Sequence, residues 1–277
     1  MNLFTQVTLP PKIITLEPHS NIMFIGSCFA EHVGVQIQQR MGETNCDVNP
    51  FGVLYNPVSI AQGIDMLINF SIYKQRITEN IFLGQDNIHH SWLHTSHFSD
   101  TDKEKCLEKI LHRMEQAHNR LLSADVLCVT FGTTRYYELK EPPHTIVANC
   151  HKEPQKIFIE KEPTLEELLA LWQQTLDSLY RANPKLTVCF TVSPYRYRKY
   201  GFHESQIQKS KLLILADTLC KTYKQTAYFP AYEIMMDELR DYRFYATDML
   251  HPSEQAIAII TERFTEWTFP KEMTDVA

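Results

Sequence analysis

The sequence predicts an α/β fold with a mostly parallel central sheet that helices cover on both faces. Short apolar runs at 22–25, 124–130 and 185–192 have the length and composition of buried strands. Helical patterns follow these runs, and strands that alternate with helices are typical of parallel sheets. The chain has 277 residues, 44% of them hydrophobic, so it can bury one large core, and we expect a single domain over 1–277.

The remaining elements follow from apolar spacing, capping patterns and turn residues. Residues 1–20 are polar and interrupted by proline, which predicts an irregular lead-in. Apolar residues that recur every three or four positions predict helices at 31–41, 59–70, 103–122, 164–181, 205–223 and 252–267, and the first part of 232–245 is also predicted to be helical. The helix that starts at Thr164 opens with a Thr-x-x-Glu capping pattern. We expect a short strand or loop within 45–57, a hairpin or inserted loop at 81–100, irregular chain at 135–159 and a short strand at 227–230.

Composition excludes several classes of protein. The net charge of -6 gives no basic surface for nucleic acid. The seven cysteines form no C-x-x-C pair and are expected to be reduced thiols. The first residues lack the basic and apolar regions of a signal peptide, and no run approaches the roughly 18 apolar residues of a membrane span. We therefore expect a cytoplasmic protein without a membrane span.

The stretch N-I-M-F-I-G-S-C-F-A, at 21–30, carries the first candidate for chemistry. Its strand ends at Gly26 and delivers Ser27 to the start of a helix, where backbone N–H groups point outward. This position suits a nucleophile, because the same N–H groups can hold the negative charge that develops on an attacked acyl group. Alternatively, Ser27 only caps the helix, as serine often does. We expect Cys28 to point the other way, into the packing between sheet and helix.

A second motif, T-D-M-L-H-P-S, lies at 247–253, before the last predicted helix. Asp248 and His251 are separated by two residues, so the carboxylate can accept a hydrogen bond from one ring nitrogen. The other nitrogen is then free as a base, which a serine needs before it can attack. The alternative is a surface aspartate beside a helix-capping histidine. The carboxyl edge of the predicted sheet would gather four features, which are Ser27, Gly132, Ser193 and the loop at 248–251.

Three further groups of residues have open interpretations. A cluster of histidines, which comprises His89, His90, His94 and His97, could ligate a metal, but structural or substrate-lining roles are favoured because no HExxH pattern accompanies them. His151 could line a pocket or be an ordinary loop histidine. The basic aromatic run at 195–199 could contact an anionic or sugar substrate, or lie in a solvated loop.

Five motifs give the chain a resemblance to a known family. They are G-S-C-F-A at 26–30, N-P-F-G at 49–52, T-F-G-T at 130–133, N-C-H-K at 149–152 and D-M-L-H-P at 248–252. With these motifs the chain resembles the GSCFA family, which is similar to the SGNH (GDSL-like) hydrolases. The resemblance implies a three-layer α/β/α fold with flavodoxin-like topology and ester chemistry. It also implies that Ser27 is the nucleophile, His251 the general base and Asp248 its orienting partner.

The same resemblance implies an oxyanion hole, and here the sequence departs from the SGNH pattern. Gly52 is the counterpart of the glycine that donates a backbone N–H. Thr134 stands where an asparagine is expected, and Asn149, Asn49 or Asn56 could supply the missing amide. The loss of one oxyanion donor costs on the order of 3 kcal/mol of transition-state stabilisation. The site prediction therefore includes Gly52, Thr134, Asn149 and His151 beside the three catalytic candidates.

These observations lead to an expected function and two alternatives. We expect a serine esterase or O-acyltransferase that acts on an acyl ester, with acetyl the favoured group. Its substrate would be a small molecule or a carbohydrate, and the chain would need no metal or organic cofactor. The first alternative is a non-catalytic ligand-binding module that kept the pocket but lost the oxyanion amide. The second is a metalloprotein built on the histidine cluster.

Overall fold

A computed structural model describes residues 5–271 and is built around a five-stranded sheet. The strands are β1 (Ile22–Gly26), β2 (Cys46–Val48), β3 (Ile81–Leu83), β4 (His89–Ser91), β5 (Val126–Phe131), β6 (Tyr136–Leu139), β7 (Ile146–Val147), β8 (Phe158–Lys161), β9 (Thr187–Val192) and β10 (Thr226–Tyr228). The α-helices are α1 (Cys28–Met41), α2 (Pro57–Ile68), α3 (Phe70–Tyr73), α4 (Lys103–Ser123), α5 (Leu165–Ala182), α6 (Phe202–Thr222), α7 (Ala231–Glu233) and α8 (Glu254–Thr268). A π-helical turn, Ile234–Glu238, continues α7.

The central sheet is parallel throughout, and its strand order is β2-β1-β5-β9-β10. Counted within this sheet, the order is 2-1-3-4-5, which is the flavodoxin-like topology. The predicted fold class is therefore confirmed. Strand order reverses between β1 and β5, and in such sheets ligands bind beyond the carboxyl ends of the strands at that reversal.

Alternate residues of β1 face two separate apolar layers. Met23 and Ile25 pack in a core that includes buried residues of α2, α4, α5 and α6. Ile22 and Phe24 point to the opposite face, where α1 and α8 supply the partners. A strand that is buried on both faces must be apolar at every position, as β1 is. The structure is thus an α/β/α sandwich of three layers.

Two antiparallel elements lie outside the central sheet. Strands β3 and β4 pair as a hairpin within 81–91. Strands β6, β7 and β8 form a small sheet in the order β7-β6-β8, so the prediction of irregular chain at 135–159 was wrong. These strands are only two to four residues long and half-buried in most places, so they lack the apolar run by which a central strand is recognised.

Helix starts determine where the candidate residues lie. The predicted capping box on α5 is present, because the Thr164 hydroxyl accepts from the Glu167 N–H while the Glu167 carboxylate accepts from the Thr164 N–H. Helix α1 begins at Cys28 rather than at Glu31, which puts Ser27 directly at its N-cap. All seven cysteines are free thiols. Within residues 5–271, no helix has the combined length and apolar character needed to cross a membrane.

Candidate active site

The position of Ser27 depends on the glycine before it. Gly26 has a φ of +153°, and a Cβ at this position would lie 2.4 Å from the carbonyl oxygen of Thr130 on β5. Only glycine therefore lets β1 approach β5 so closely at its carboxyl end. The chain then turns at Ser27, which has extended backbone angles, and enters α1 immediately.

The hydroxyl of Ser27 does not cap this helix. Ser27 is 2% exposed, and its Oγ has no hydrogen-bond partner within residues 5–271. By contrast, the Ser253 hydroxyl at the start of α8 accepts from the Ala256 N–H at 3.2 Å. Because Ser27 also lines a cavity, its hydroxyl is available to a ligand instead of being tied to the helix. The missing cap bond argues against the purely structural interpretation of Ser27.

Asp248 and His251 form a hydrogen-bonded pair in the loop before α8. His251 Nδ1 lies 2.5 Å from Asp248 Oδ2, and Asp248 Oδ1 accepts from the N–H groups of His251 at 3.0 Å and Leu250 at 2.8 Å. These hydrogen bonds to His251 and Leu250 lower the pKa of Asp248 to about 2, so the carboxylate is ionised at neutral pH. Because an ionised carboxylate can only accept, Nδ1 carries the proton and Nε2 of a neutral ring is free as a base.

Ser27 and His251 face the same cavity, which has a volume of about 340 Å³ and lies beyond the carboxyl ends of β1, β5 and β9. The ring of Tyr195 packs against His251, with 4.3 Å between the ring centroids. Within residues 5–271, neither Ser27 Oγ nor His251 Nε2 forms a hydrogen bond, so the link between nucleophile and base is open in this structure. In enzymes without substrate such links are often long and tighten when substrate binds.

Two asparagines line the cavity, and they differ in how many of their side-chain amide atoms already have hydrogen-bond partners. The Asn149 Oδ1 accepts from the His151 N–H at 2.8 Å, while its Nδ2 has no protein partner within residues 5–271. Asn56 caps α2, with Oδ1 accepting from the Ser59 N–H at 2.8 Å and Nδ2 donating to the Ser59 hydroxyl at 3.1 Å. Asn149 is therefore the freer amide donor. Backbone N–H groups at the start of α1 offer a second kind of donor.

Gly52 and Thr134 do not line this cavity, which corrects two of the predicted site residues. The Gly52 N–H donates to the Asn49 carbonyl at 2.8 Å in a tight turn with a φ of +77°. A Cβ at Gly52 would meet the side chain of Thr95, which is not among the residues that line the cavity. Thr134 is fully buried. Asn49 does not line the cavity either: its Oδ1 accepts from the Gly26 N–H at 2.9 Å, and its Nδ2 has no partner within residues 5–271.

His151 faces the β3–β4 hairpin, so its predicted role at the pocket needs correction. Its Nε2 donates to the Ser91 carbonyl at 2.8 Å, and its Nδ1 accepts from the Ser96 hydroxyl at 3.2 Å. Burial lowers the pKa of His151, which keeps the ring neutral. The ring of His90 lies beside it, at 4.4 Å between centroids. What His151 offers to the cavity is its backbone N–H, which orients Asn149.

Within the histidine cluster, His90 has both ring nitrogens bonded to protein groups, whereas His89 Nδ1 and His94 Nε2 have no partner within residues 5–271. His94 is fully buried, and burial lowers its pKa to about 3. Its Nδ1 forms a hydrogen bond with the Ser91 hydroxyl at 2.9 Å. His90 bonds Ser99 through Nδ1 at 2.6 Å and Asp86 through Nε2 at 3.1 Å. Over residues 5–271, no three His, Cys, Asp or Glu side chains are arranged to hold a metal ion.

Several cavity residues were missed from the sequence. Cys28 lines the cavity beside Ser27 instead of pointing into the sheet, and burial raises the pKa of its thiol. Tyr55 and Tyr137 contribute two aromatic walls, and no spacing rule marks either of them. Lys209 of α6 does not line this cavity, but it is buried and donates to the carbonyls of Gly132 and Ser193, which do line it.

The basic aromatic run after β9 divides between the cavity and the surrounding loops. Tyr195 and Tyr197 line the cavity. Arg196 instead donates to the Met249 carbonyl at 3.1 Å and lies over the ring of Phe202, 4.4 Å from its centroid. The run therefore places aromatic rings in the site and uses Arg196 to hold the loop that carries His251.

Topology and cavity together define a three-layer α/β protein of flavodoxin-like topology, in which a serine and an aspartate-bound histidine face one cavity at the strand reversal. The model of the GSCFA family matches residues 21–264, and the chain belongs to that family. This match confirms the resemblance that the five motifs indicate. A comparison with curated proteins finds no match.

Solved structures of similar proteins cover most of this chain. A protein from Parabacteroides merdae, described provisionally as a GDSL-like lipase, is 10% identical, with coverage of 92% of this chain and 98% of its own and a TM-score of 0.43. A family 3 carbohydrate esterase from Clostridium thermocellum is 10% identical, with coverage of 89% and 94% and a TM-score of 0.41. A carbohydrate esterase of family 3 from Talaromyces cellulolyticus is 8% identical, with coverage of 89% and 95% and a TM-score of 0.39.

Proposed function

We propose that this chain is a serine esterase or O-acyltransferase in which Ser27 attacks an acyl ester. One observation carries the proposal. The buried, unpartnered Ser27 hydroxyl and the Asp248-bound imidazole of His251 face a single cavity. A serine hydroxyl is a weak nucleophile until a base removes its proton, and His251 Nε2 is the free base of that cavity.

The reaction would proceed in two acyl-transfer steps. His251 Nε2 takes the proton as Ser27 Oγ bonds to the carbonyl carbon, and the carbonyl oxygen becomes an oxyanion. When the carbonyl re-forms, the bond to the alcohol oxygen breaks, and His251 gives its proton to the leaving alcohol. Water, or the hydroxyl of an acceptor, then attacks the acyl-enzyme by the same path. Asp248 stabilises the imidazolium in each step without taking the proton itself.

The oxyanion would be held by donors at the helix start and by one side-chain amide. The N–H groups at Ser27 and Cys28 lie at the positive end of the α1 dipole. The Asn149 Nδ2 supplies the amide that the sequence lacks at Thr134. His151 supports this assignment, because its N–H fixes the Asn149 oxygen and so directs the Asn149 nitrogen.

The lining of the cavity favours a neutral, polyhydroxylated ester, such as an acetylated sugar. Its aromatic walls are tyrosines, which are Tyr55, Tyr137, Tyr195 and Tyr197. Tyrosine combines an apolar ring with a hydroxyl, so it can pack against a sugar face and bond its hydroxyls. Arg135 also lines the cavity, but it is paired with Glu162 at 2.6 Å and Glu204 at 3.3 Å. Its charge is compensated, so it does not select for an anion.

Turnover of acetyl esters tests this proposal. Wild type, Ser27→Ala and Ser210→Ala would be assayed on 4-nitrophenyl acetate and on acetylated monosaccharides. Ser210 is a matched control, because its hydroxyl bonds the Gln206 carbonyl on the exposed side of α6. We expect activity in wild type and the control, and none in Ser27→Ala. A folded wild type with no turnover of any acyl ester would favour the non-catalytic binding module.

A further inference from the structure

Lys209 is a buried lysine that pairs with no carboxylate of residues 5–271. Its side chain lies on α6, and the residue is 2% exposed. The Nζ donates to the carbonyl oxygens of Gly132 at 2.7 Å and Ser193 at 2.6 Å. Burial lowers the pKa of Lys209 to about 7. A buried amino group is costly unless it is hydrogen-bonded, and these two carbonyls supply the bonds that hold it in place.

The two carbonyls belong to the first residues after β5 and β9, which are neighbours in the sheet. The ladder between these strands closes where the Ser193 N–H donates to the Phe131 carbonyl at 2.8 Å. Beyond this point the strands no longer pair, and their next carbonyls would lack donors. Lys209 supplies the missing donor to both carbonyls and so links the two strand ends at the edge where the cavity opens.

One of these strand ends leads to Ser27. The N–H groups of Gly132 and Thr133 both donate to the Tyr55 carbonyl, at 2.8 and 2.9 Å. A Cβ at Gly132 would lie 3.5 Å from the Ser27 Cβ and 2.9 Å from the Tyr55 oxygen. The backbone at Gly132 is thus the surface against which the serine packs, and Lys209 holds the carbonyl of that residue.

The other strand end leads to His251. The Tyr195 N–H donates to the Ser193 hydroxyl at 3.4 Å, and the Tyr195 ring packs on the imidazole of His251 at 4.3 Å. The Arg196 N–H donates to the Leu250 carbonyl at 3.0 Å, one residue before the histidine. The segment that starts at Ser193 therefore supports both the ring and the loop of the proposed base.

We propose that Lys209 is a positioning residue for the reaction at Ser27. It fixes the spacing between the Gly132 backbone beside the nucleophile and the segment from Ser193 that supports His251. This inference rests on the proposed function, because it concerns the open link between Ser27 Oγ and His251 Nε2. Lys209 touches neither reacting group, so it acts only through the two strand ends.

Kinetics of Lys209→Met test this role, with Lys221→Met as the matched control. Lys221 lies on the same helix, but its side chain is 76% exposed and pairs with Asp217 at 2.7 Å. A displacement of about 1 Å between reacting groups can cost on the order of 100-fold in rate. We therefore expect Lys209→Met to lower kcat on an acetyl ester by about 100-fold, while KM changes by less than about threefold. The control keeps the wild-type kcat.

Counting reactive sites separates positioning from mere stability. Titration with a fluorophosphonate gives the number of competent Ser27 hydroxyls, and kcat is then expressed per competent site. A kcat per site that matches wild type would overturn the inference, because Lys209 would then only support folding. If Lys209→Met gives no folded protein, Lys209→Gln, which keeps one amide donor, carries the same test. No turnover by wild type would overturn the proposed function too, whereas an active wild type with an equally active variant overturns this inference alone.

Discussion

Replacement of Asp248 by asparagine tests the pairing of the proposed base with its orienting partner. The amide oxygen of Asp248→Asn can still accept from the N–H groups of Leu250 and His251, as the carboxylate does at 2.8 and 3.0 Å. The amide nitrogen would then face Nδ1 of His251 and donate to it. The ring must respond by moving its proton to Nε2, the atom that has to accept the proton of Ser27.

The size of the effect follows from the exposure of this pair. In the buried triad of chymotrypsin-like proteases the same substitution lowers kcat by about 10⁴-fold, because the ring is held in the wrong tautomer. Here the Asp248 and His251 side chains are 42% and 47% exposed, so water can exchange the two tautomers and screen the carboxylate. We therefore expect a smaller loss, on the order of 10²- to 10³-fold in kcat/KM.

The assay compares the initial rates of wild type, Asp248→Asn and Asp217→Asn on 4-nitrophenyl acetate at pH 8. Asp217 is a matched control, because its exposed carboxylate pairs with Lys221 on the outer face of α6. Denaturant titration of each protein confirms that all three are folded under assay conditions. If folded Asp248→Asn keeps kcat/KM within about threefold of wild type, Asp248 does not set the tautomer of the base.

Three further predictions concern the base, the oxyanion donor and the buried lysine. His251→Ala should lower kcat/KM by at least about 10³-fold, and a loss under about tenfold would point to another base. Asn149→Ala should lower kcat by about 10²- to 10³-fold with little change in KM, and an unchanged kcat would remove Asn149 from the oxyanion hole. The pKa of Lys209 is about 7 in the folded protein, against 10.5 for a lysine in the unfolded chain. Between pH 7 and pH 10.5 the unfolded state therefore binds one more proton than the folded state. Above pH 7, the free energy of unfolding measured in urea should therefore rise with pH by about 1.4 kcal/mol per pH unit more in wild type than in Lys209→Met. If the difference in unfolding free energy between the two proteins is the same at pH 7.5 and pH 9, this prediction is contradicted.

The sequence was sufficient to predict the sheet and the edge at which the candidate residues meet. Strand-like runs that alternate with helices require a parallel sheet, and parallel strands present their carboxyl ends on one side. Ser27, Gly132, Ser193 and His251 accordingly line one cavity, although they come from four separate segments. Local patterns sufficed here because each of these residues directly follows a strand or precedes a helix.

Residues whose role depends on long-range packing could not be predicted in this way. A motif that contains Gly52 does not reveal that a turn with Asn49 uses its N–H. Lys209 is in register with the apolar positions Leu212 and Leu219 of α6, so the spacing does mark it as unusual. The sequence does not show its partners, because they are supplied by the ends of two distant strands. Strands β6, β7 and β8 escaped detection because they pair mainly with one another and are short.

The open choice among three amides shows the same limit at the scale of one side chain. Asn49, Asn56 and Asn149 are equivalent by composition and differ in their partners. Asn49 does not line the cavity, and its Oδ1 accepts from the Gly26 N–H, while Asn56 uses both of its amide atoms on Ser59 at the start of α2. Asn149 alone of the three lines the cavity with an uncommitted nitrogen within residues 5–271.

Mass spectrometry of the protein after treatment with a fluorophosphonate tests the central claim most directly. The probe bonds covalently to an activated serine, and peptide mapping distinguishes Ser27 from the neighbouring Cys28, which also lines the cavity. We expect one label per chain, on Ser27, with labelling lost in Ser27→Ala and strongly slowed in His251→Ala. A folded wild type that stays unlabelled, or a label carried by another residue, would contradict the assignment of Ser27 as the nucleophile.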